Sequence, residues 1–427
     1  MTDIVDEYAR DGADEAPAAA TSSDTMVIPR IAIQGFCETN EVARIIEASA
    51  KDRRMARAHM KVHMGGIVAA NEFYAAAPTP NLIILESRDS SSQLLTQLND
   101  LAGVCDEGTK VIVIGHSNDV VLYRELLRRG VSEYLVAPIE IFDLMRSIAD
   151  IYHDPDAEPI GRTIAFVGAK GGCGASTVAH NVAWHIAGQF DSNVVVADLD
   201  LPFGTVGLDF NQDPPQGIAE AVNSPDRLDD VFLDRLLTKC TDRLSILAAP
   251  ATLDRSYDFD EAAFEGVIDT VRQSVPAVVL DVPHIWSNWV LKTLSSVDEV
   301  VVVVAPDLAS LRNAKNLIDY LKQARPNDTA PKLVVNQVGL PKRPEIKPEE
   351  IANSLGVEAS AIIPFDANLF GTAANNGQMI SEIDSKNPIG DHFSAIAQVT
   401  TGRAEIRKHK KSGLAPLLDK LRGRKSA

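Results

Sequence analysis

Cysteine is scarce in this chain and widely scattered. Cys37, Cys105, Cys173 and Cys240 are the only four, none belongs to a C-x-x-C pair, and no histidine cluster accompanies them. That spacing suggests neither a zinc site nor a disulfide framework, and it suits a reducing compartment. Long apolar runs are missing as well. No stretch of 18 apolar residues occurs, and the N-terminus is acidic where a secretory signal needs a basic start and an apolar core. The chain is therefore expected to be cytoplasmic. Positive charge is in deficit, with 41 Lys and Arg against 59 Asp and Glu for a net charge of −18. A surface that coats nucleic acid needs clustered cations to replace phosphate counterions, so no specific nucleic-acid partner is expected.

The deficit is uneven. Residues 1–25 carry seven acidic groups against Arg10, whereas residues 403–427 carry nine Lys and Arg against Glu405 and Asp419. The first segment, rich in Asp, Ala and Ser and without periodic apolar residues, reads as a disordered acidic tail. Between the tails, short apolar runs alternate with helical spacers. In residues 26–152 these runs are Arg30–Gln34, Asn81–Leu85, Lys110–Ile114 and Glu133–Val136, with a helical stretch near Glu41–Ala50. A polar, proline-bearing break at Tyr152–Pro159 precedes a second series: Thr163–Val167, Asn193–Ala197, Leu244–Leu247, Ala277–Leu280, Glu299–Val304, Lys332–Val335 and Ala361–Ile363. Such alternation predicts parallel sheets covered on both faces. The expected fold is α/β, with two doubly wound parallel-sheet domains over 26–152 and about 161–400 and ligand sites at the carboxyl ends of the strands.

After Val167 the sequence reads Gly168-Ala169-Lys170-Gly171-Gly172-Cys173-Gly174-Ala175-Ser176-Thr177, and a helical pattern follows over Val178–Gly188. Strand, glycine loop and helix in that order make a phosphate-binding loop: glycines let backbone N–H groups approach phosphate oxygens, and the helix N-terminus adds its dipole. A glycine-rich turn without a ligand would leave the offsets of Lys170 and the Ser176-Thr177 pair unexplained.

These residues resemble the K-G-G-x-G-K-[ST] loop of the MinD/ParA/ArsA ATPases. The resemblance covers roughly residues 161–400, and its clearest departure is Ala175, which stands where the ordinary Walker lysine belongs. It implies ATP and Mg²⁺ as ligands and a homodimer formed through ATP, in which Lys170 reaches the phosphates of the other subunit. Losing the ordinary lysine's charge-assisted hydrogen bond costs roughly 1.5–3 kcal/mol, or about ten- to a hundredfold in affinity. Binding is expected to survive in weakened form, with weak or residual ATP hydrolysis. In this reading Lys170, Gly171, Gly172, Cys173, Gly174, Ala175, Ser176 and Thr177 hold the nucleotide, with the Ser176 hydroxyl on Mg²⁺. The resemblance further implies that Asp198 lies beside the metal, Asp200 orients the attacking water, Asp281 holds the Mg²⁺ shell, and Asn336, Pro364 and Asp366 contact adenine. Taken alone, Asp281 is a carboxylate capping a turn at a strand end, and Asn336 is ordinary turn chemistry.

The alternation from Arg30 to Tyr152 resembles a response-regulator receiver whose chemistry is missing. Gly35-Phe36-Cys37-Glu38 stands at the acidic pair, Glu86 at the acceptor aspartate, Gly115-His116 at the hydroxyl and Ala137-Pro138 at the lysine. This implies a pseudo-receiver, a docking or dimerisation module without phosphotransfer. Glu86 is either a solvated strand-end carboxylate or a mimic of the phosphorylated state. A pseudo-receiver ahead of a MinD-like domain with K-G-G-x-G-A-[ST] resembles the CpaE/TadZ family of Flp (tight-adherence) pilus assembly. That resemblance implies an ATP-binding dimerising switch that localises or assembles a pilus secretion apparatus, often at a cell pole, with pilus machinery proteins as partners. A non-hydrolysing ATP-bound scaffold is the competing reading, favoured by Ala175 and opposed by Lys170, Asp198, Asp200 and Asp281. ParA-like DNA segregation fits the acidic composition poorly. In the tail, Leu414, Leu417, Leu418 and Leu421 fall at i, i+3, i+4 and i+7 beside Lys420, Arg422, Arg424 and Lys425. This pattern suits peripheral contact with the inner face of a membrane, resembling the targeting helix of MinD. A solubilising tail and a helix docked on a partner are the alternatives.

Overall fold

The computed structural model describes residues 26, 28–106, 108–153, 160–253 and 256–402. The acidic segment 1–25, most of the proline-bearing break and the basic tail 403–427 lie outside the described residues. The chain divides near residue 153 into two compact units, each with its own sheet.

In the front unit five parallel strands, β1 (Ala32–Cys37), β2 (His59–Met64), β3 (Leu82–Ser87), β4 (Lys110–Gly115) and β5 (Glu133–Val136), run in the order β2-β1-β3-β4-β5. Successive side chains point to opposite faces and so divide into two apolar layers. Leu82, Ile84, Ile112 and Ile114 pack with the helices Asn40–Ser49 and Ile141–Ile151. Ile83, Leu85 and Val113 pack with Gly66–Tyr74, Ser91–Ala102 and Val120–Arg128. The order is that of flavodoxin-like sheets, as the alternation predicts. Strand β2 has no counterpart among the apolar runs. At the sheet edge it buries little, and half of its His-Met-Lys-Val-His-Met alternation is polar; the period of two is the signal that identifies it.

The second unit carries eight strands: β6 (Arg162–Gly168), β7 (Val194–Asp198), β8 (Thr238–Lys239), β9 (Leu244–Leu247), β10 (Ala277–Val282), β11 (Glu299–Val304), β12 (Lys332–Val338) and β13 (Ala359–Pro364). Their order is β13-β12-β11-β6-β10-β7-β9-β8, parallel throughout except for the short β8, which runs antiparallel to β9. Ala165, Val167, Val278, Leu280 and Val302 face one apolar layer, and Ile164, Phe166, Val279, Val301 and Val303 face the other. Burial on both faces is why these strands read as almost unbroken apolar runs. Phe166 is completely buried, so truncating it to Ala would cost about 3–5 kcal/mol. The chain leaves β6 for β7 on one side of it and later returns to place β11 on the other. The crevice at the carboxyl ends around that reversal is where a doubly wound sheet takes its ligand. Among the described residues no helix is long and apolar enough to cross a membrane.

Candidate functional site

The glycine loop leaves β6 at Gly168 and enters the helix Ala175–Gln189. At its helix end Gly174 has φ 86°, in the left-handed region, and a Cβ there would collide with the Asn336 amide, so the position requires glycine. Four side chains from three other segments take the loop's carbonyl groups. His284 Nδ1 donates to Gly168 O at 2.8 Å, Asn313 Nδ2 to Ala169 O at 2.9 Å, Gln337 Nε2 to Gly172 O at 2.8 Å and Asn336 Nδ2 to Cys173 O at 2.9 Å. The Cys173 thiol is buried and donates to Val303 O. With its carbonyls so engaged, the loop offers a ligand its N–H groups and the helix dipole, the preference of a phosphate.

The carboxylates come from the ends of β7 and β10. Asp198 is fully buried, accepting the Asp200 N–H on one oxygen and the Val206 N–H on the other, each at 3.1 Å. Gly204 packs so tightly on this carboxylate that a Cβ would overlap it. Burial, and then the charge of Asp281, pushes Asp198 up to about 7. Asp200 is also raised by burial, with Asp281 adding to the rise and the Phe203 N–H holding its carboxylate against it. His180 lies beneath these groups, wholly buried. Its Nδ1 stands 2.7 Å from Asp209 Oδ2, and its Nε2 stands 3.3 Å from Asp281 Oδ2, within ion-pair reach but off hydrogen-bond alignment. Burial opposes charge on this ring, but the Asp209 and Asp281 carboxylates outweigh it and raise His180 to about 10.

Lys170 extends toward β11 and donates to Asp307 Oδ2 at 2.5 Å. Asp307 is also the N-cap of the helix Leu308–Ala324, accepting the Ser310 N–H at 2.9 Å. Burial alone would raise the Asp307 carboxyl, but the bonds from Lys170 and Ser310 hold it below the usual range.

These groups surround a cleft of about 550 Å³ lined by Lys170 to Thr177, Asp200, Asp281 and His284, with Tyr257, Phe259 and Trp289 also on its walls. The structure thus brings together the whole loop, Asp200 and Asp281. Asp198 stands off the cleft wall, both of its oxygens engaged by backbone N–H groups of the turn that follows β7. Asn336, Pro364 and Asp366 also stand off the cleft. Asn336 is buried against the loop, Pro364 ends β13, and Asp366 caps the helix Ala367–Asn376 by accepting the Leu369 N–H at 2.9 Å. Among the described residues no group of three or more His, Cys, Asp and Glu side chains is arranged to hold a metal by itself. Reasoning from sequence misses Asp307, His180, Asp209, His284 and Asn313. The Lys170–Asp307 contact spans 137 residues, and no local pattern announces it. Asp307 is legible only as an aspartate opening a helix.

Residues 161–335 match the family model described as an AAA domain. A ParA family ATPase of Chlorobium tepidum TLS is 25% identical, with 55% of this chain and 98% of that chain covered and a TM-score of 0.51. The septum site-determining protein MinD of Bacillus subtilis is 24% identical over 259 residues, 57% of this chain and 91% of that protein. Fold and loop together define a P-loop NTPase of the MinD/ParA type. The pilus assembly protein CpaE of Caulobacter crescentus CB15 is 49% identical, with 30% of this chain and 98% of that one covered and a TM-score of 0.30. Identity at that level across nearly the whole of the Caulobacter chain assigns the family: this chain belongs to the CpaE pilus assembly proteins, within the MinD/ParA ATPases.

Proposed function

We propose that the second unit binds ATP with Mg²⁺ in this cleft and acts as a dimerising switch, with weak or residual hydrolysis, that localises or assembles a pilus secretion apparatus. The observation that carries the reading is the convergence of the loop Lys170–Thr177 with Asp200 and Asp281 on one cleft. In it, loop N–H groups would take the phosphates, and Ser176 and Asp281 would hold the cation. Burial first, and then the charge of Asp281, raises the carboxyls of Asp198 and Asp200; a divalent cation at Asp281 would offset the second of these. Once bound, that cation would neutralise phosphate charge. Asp200 would orient the attacking water, while Asp198 shapes the loop that carries Asp200. Asn336, Pro364 and Asp366 would flank the adenine, Asn336 through its carbonyl oxygen because its amide nitrogen is spent on the loop. The front unit, 26–152, would serve as a docking module without phosphotransfer. The tail 403–427 would give peripheral contact at the inner face of the membrane or at a pole.

A second reading, a non-hydrolysing ATP-bound scaffold, is favoured by one observation: among the described residues lining the cleft, Lys170 is the only lysine or arginine. Sedimentation velocity and phosphate release separate the two. The switch predicts an ATP-dependent dimer that Lys170→Ala abolishes and slow turnover that Asp200→Ala removes. Unchanged ATP affinity and dimerisation in Lys170→Ala would end the assignment of Lys170 to the other subunit's phosphates. Turnover no faster than in Asp200→Ala would favour the scaffold.

A further inference from the structure

Glu86, near the end of β3, is fully buried, not solvated. All of its acceptor capacity points into one small hollow. Oε2 accepts the N–H groups of Glu38 and Thr39, each at 2.8 Å. Oε1 accepts the Thr39 hydroxyl at 2.8 Å and faces His116 Nε2 at 3.0 Å. Glu38 and Thr39 form the loop after β1, Thr39 caps the helix Asn40–Ser49, and His116 follows β4. The carboxylate therefore sits at a helix N-terminus with two backbone donors, a hydroxyl and an imidazole around it. Those are the components of an oxyanion site. An aspartate here, one methylene shorter, would not reach these donors and would leave them facing open space.

The neighbouring loops are fastened as well. Glu38 Oε2 accepts the Arg88 N–H at 3.1 Å, joining the loop after β1 to the one after β3. Tyr134, buried on β5, donates from its hydroxyl to Ser117 O at 2.8 Å, holding the loop after β4 from its other side. Burial works to raise the Glu86 carboxyl, but the donors outweigh it and hold the group below the usual range, so the side chain is a charged carboxylate.

We propose that Glu86 is a built-in ligand for an oxyanion site made by Glu38 N–H, Thr39 and His116, and that it holds the loops after β1, β3 and β4 in one permanent arrangement. The front unit then presents a constant face. The hollow is a latent site for a small carboxylate or phosphate, available only when the Glu86 side chain is removed.

The test is hydrogen exchange by mass spectrometry on the full chain, over peptides spanning residues 37–42. In Glu86→Ala these amides should exchange about ten- to a hundredfold faster than in the wild type. Millimolar formate or acetate should restore slow exchange, chloride at equal ionic strength should not, and the wild type should ignore all three. Acetyl phosphate should add no mass to the wild type, because the seat is taken. Unchanged exchange in Glu86→Ala, equal rescue by chloride, or a phosphorylated Glu86 would each overturn the proposal. Should Glu86→Ala fail to fold, Glu86→Gln carries the test. It keeps the length but loses the charge and one acceptor, so exchange should rise about tenfold; exchange at the wild-type rate would refute the role of the charge.

Discussion

Freeing Lys170 from Asp307 should strengthen dimerisation. If Lys170 acts on the phosphates of the other subunit, each subunit must first break its own Lys170–Asp307 bond, 2.5 Å long and with side chains 34% and 25% exposed. At that partial exposure solvent screening holds the contact to about 1 kcal/mol. Two subunits break two contacts, so the dimer forfeits about 2 kcal/mol, or roughly thirtyfold in its dissociation constant. Asp307→Asn is the suitable perturbation, because asparagine still caps the helix Leu308–Ala324 whereas alanine would not. Sedimentation velocity with ATP and Mg²⁺ should show the variant dimer forming at lower protein concentration, by up to that factor. The double variant with Lys170→Ala should lose the gain, since the two residues act as a pair. A variant that dimerises no more tightly than the wild type refutes the reasoning, and so does a gain that persists without Lys170.

Restoring the ordinary loop with Ala175→Lys supplies a second cation beside the phosphates and should tighten ATP binding by up to about a hundredfold in calorimetric titration; an unchanged affinity would mean that the loop is adapted to work without it. His180 is raised from 6.5 to about 10 in the folded chain, so the stability it contributes is fully present below about pH 6.5 and is lost as pH rises through 10. Urea midpoints should therefore fall across that window in the wild type, and His180→Gln should flatten the fall. The tail 403–427 lies outside the described residues, so its test is functional. Its deletion should abolish cosedimentation with anionic liposomes at low salt, and ATP should strengthen the binding of the intact chain by doubling the number of tails.

Most of the fold is legible in the sequence because the strands are buried on both faces. Val300 to Val304 and Ile164 to Val167 can be little else once glycine and helical spacers bound them. The edge strands β2 and β8 are harder to see, one because it is half polar and the other because it is two residues long. The phosphate loop is legible for a different reason: its chemistry is contiguous, and spacing along eight residues translates directly into geometry. The carboxylates divide. Asp200 and Asp281 line the cleft. Asp198, two residues from Asp200, is buried because the turn after β7 folds back over it and gives both of its oxygens backbone N–H partners, from Asp200 and Val206; strand alternation, which puts i and i+2 on one face, could not have told the two apart. Glu86 shows the same limit in the front unit. Its position is readable, but its burial depends on donors 47 and 48 residues earlier and 30 later, which no local pattern reveals.

The loss at Ala175 changes the logic of the site beyond weakening it. In a loop with both lysines, one cation serves the bound nucleotide and the other serves the dimer, so affinity and assembly are set separately. Here Lys170 is the only lysine or arginine among the described residues that line the cleft, and that ammonium is engaged by Asp307. If Lys170 is what answers the phosphate charge, nucleotide affinity and dimerisation share one group and cannot be tuned apart. Reciprocity of binding then requires that whatever favours the dimer also tightens ATP, by the same factor. The apparent affinity for ATP should accordingly rise with protein concentration through the range where the dimer forms. In Lys170→Ala it should become independent of concentration. An ATP affinity that is constant in the wild type across that range would separate the two functions and assign the phosphate charge to the loop N–H groups alone.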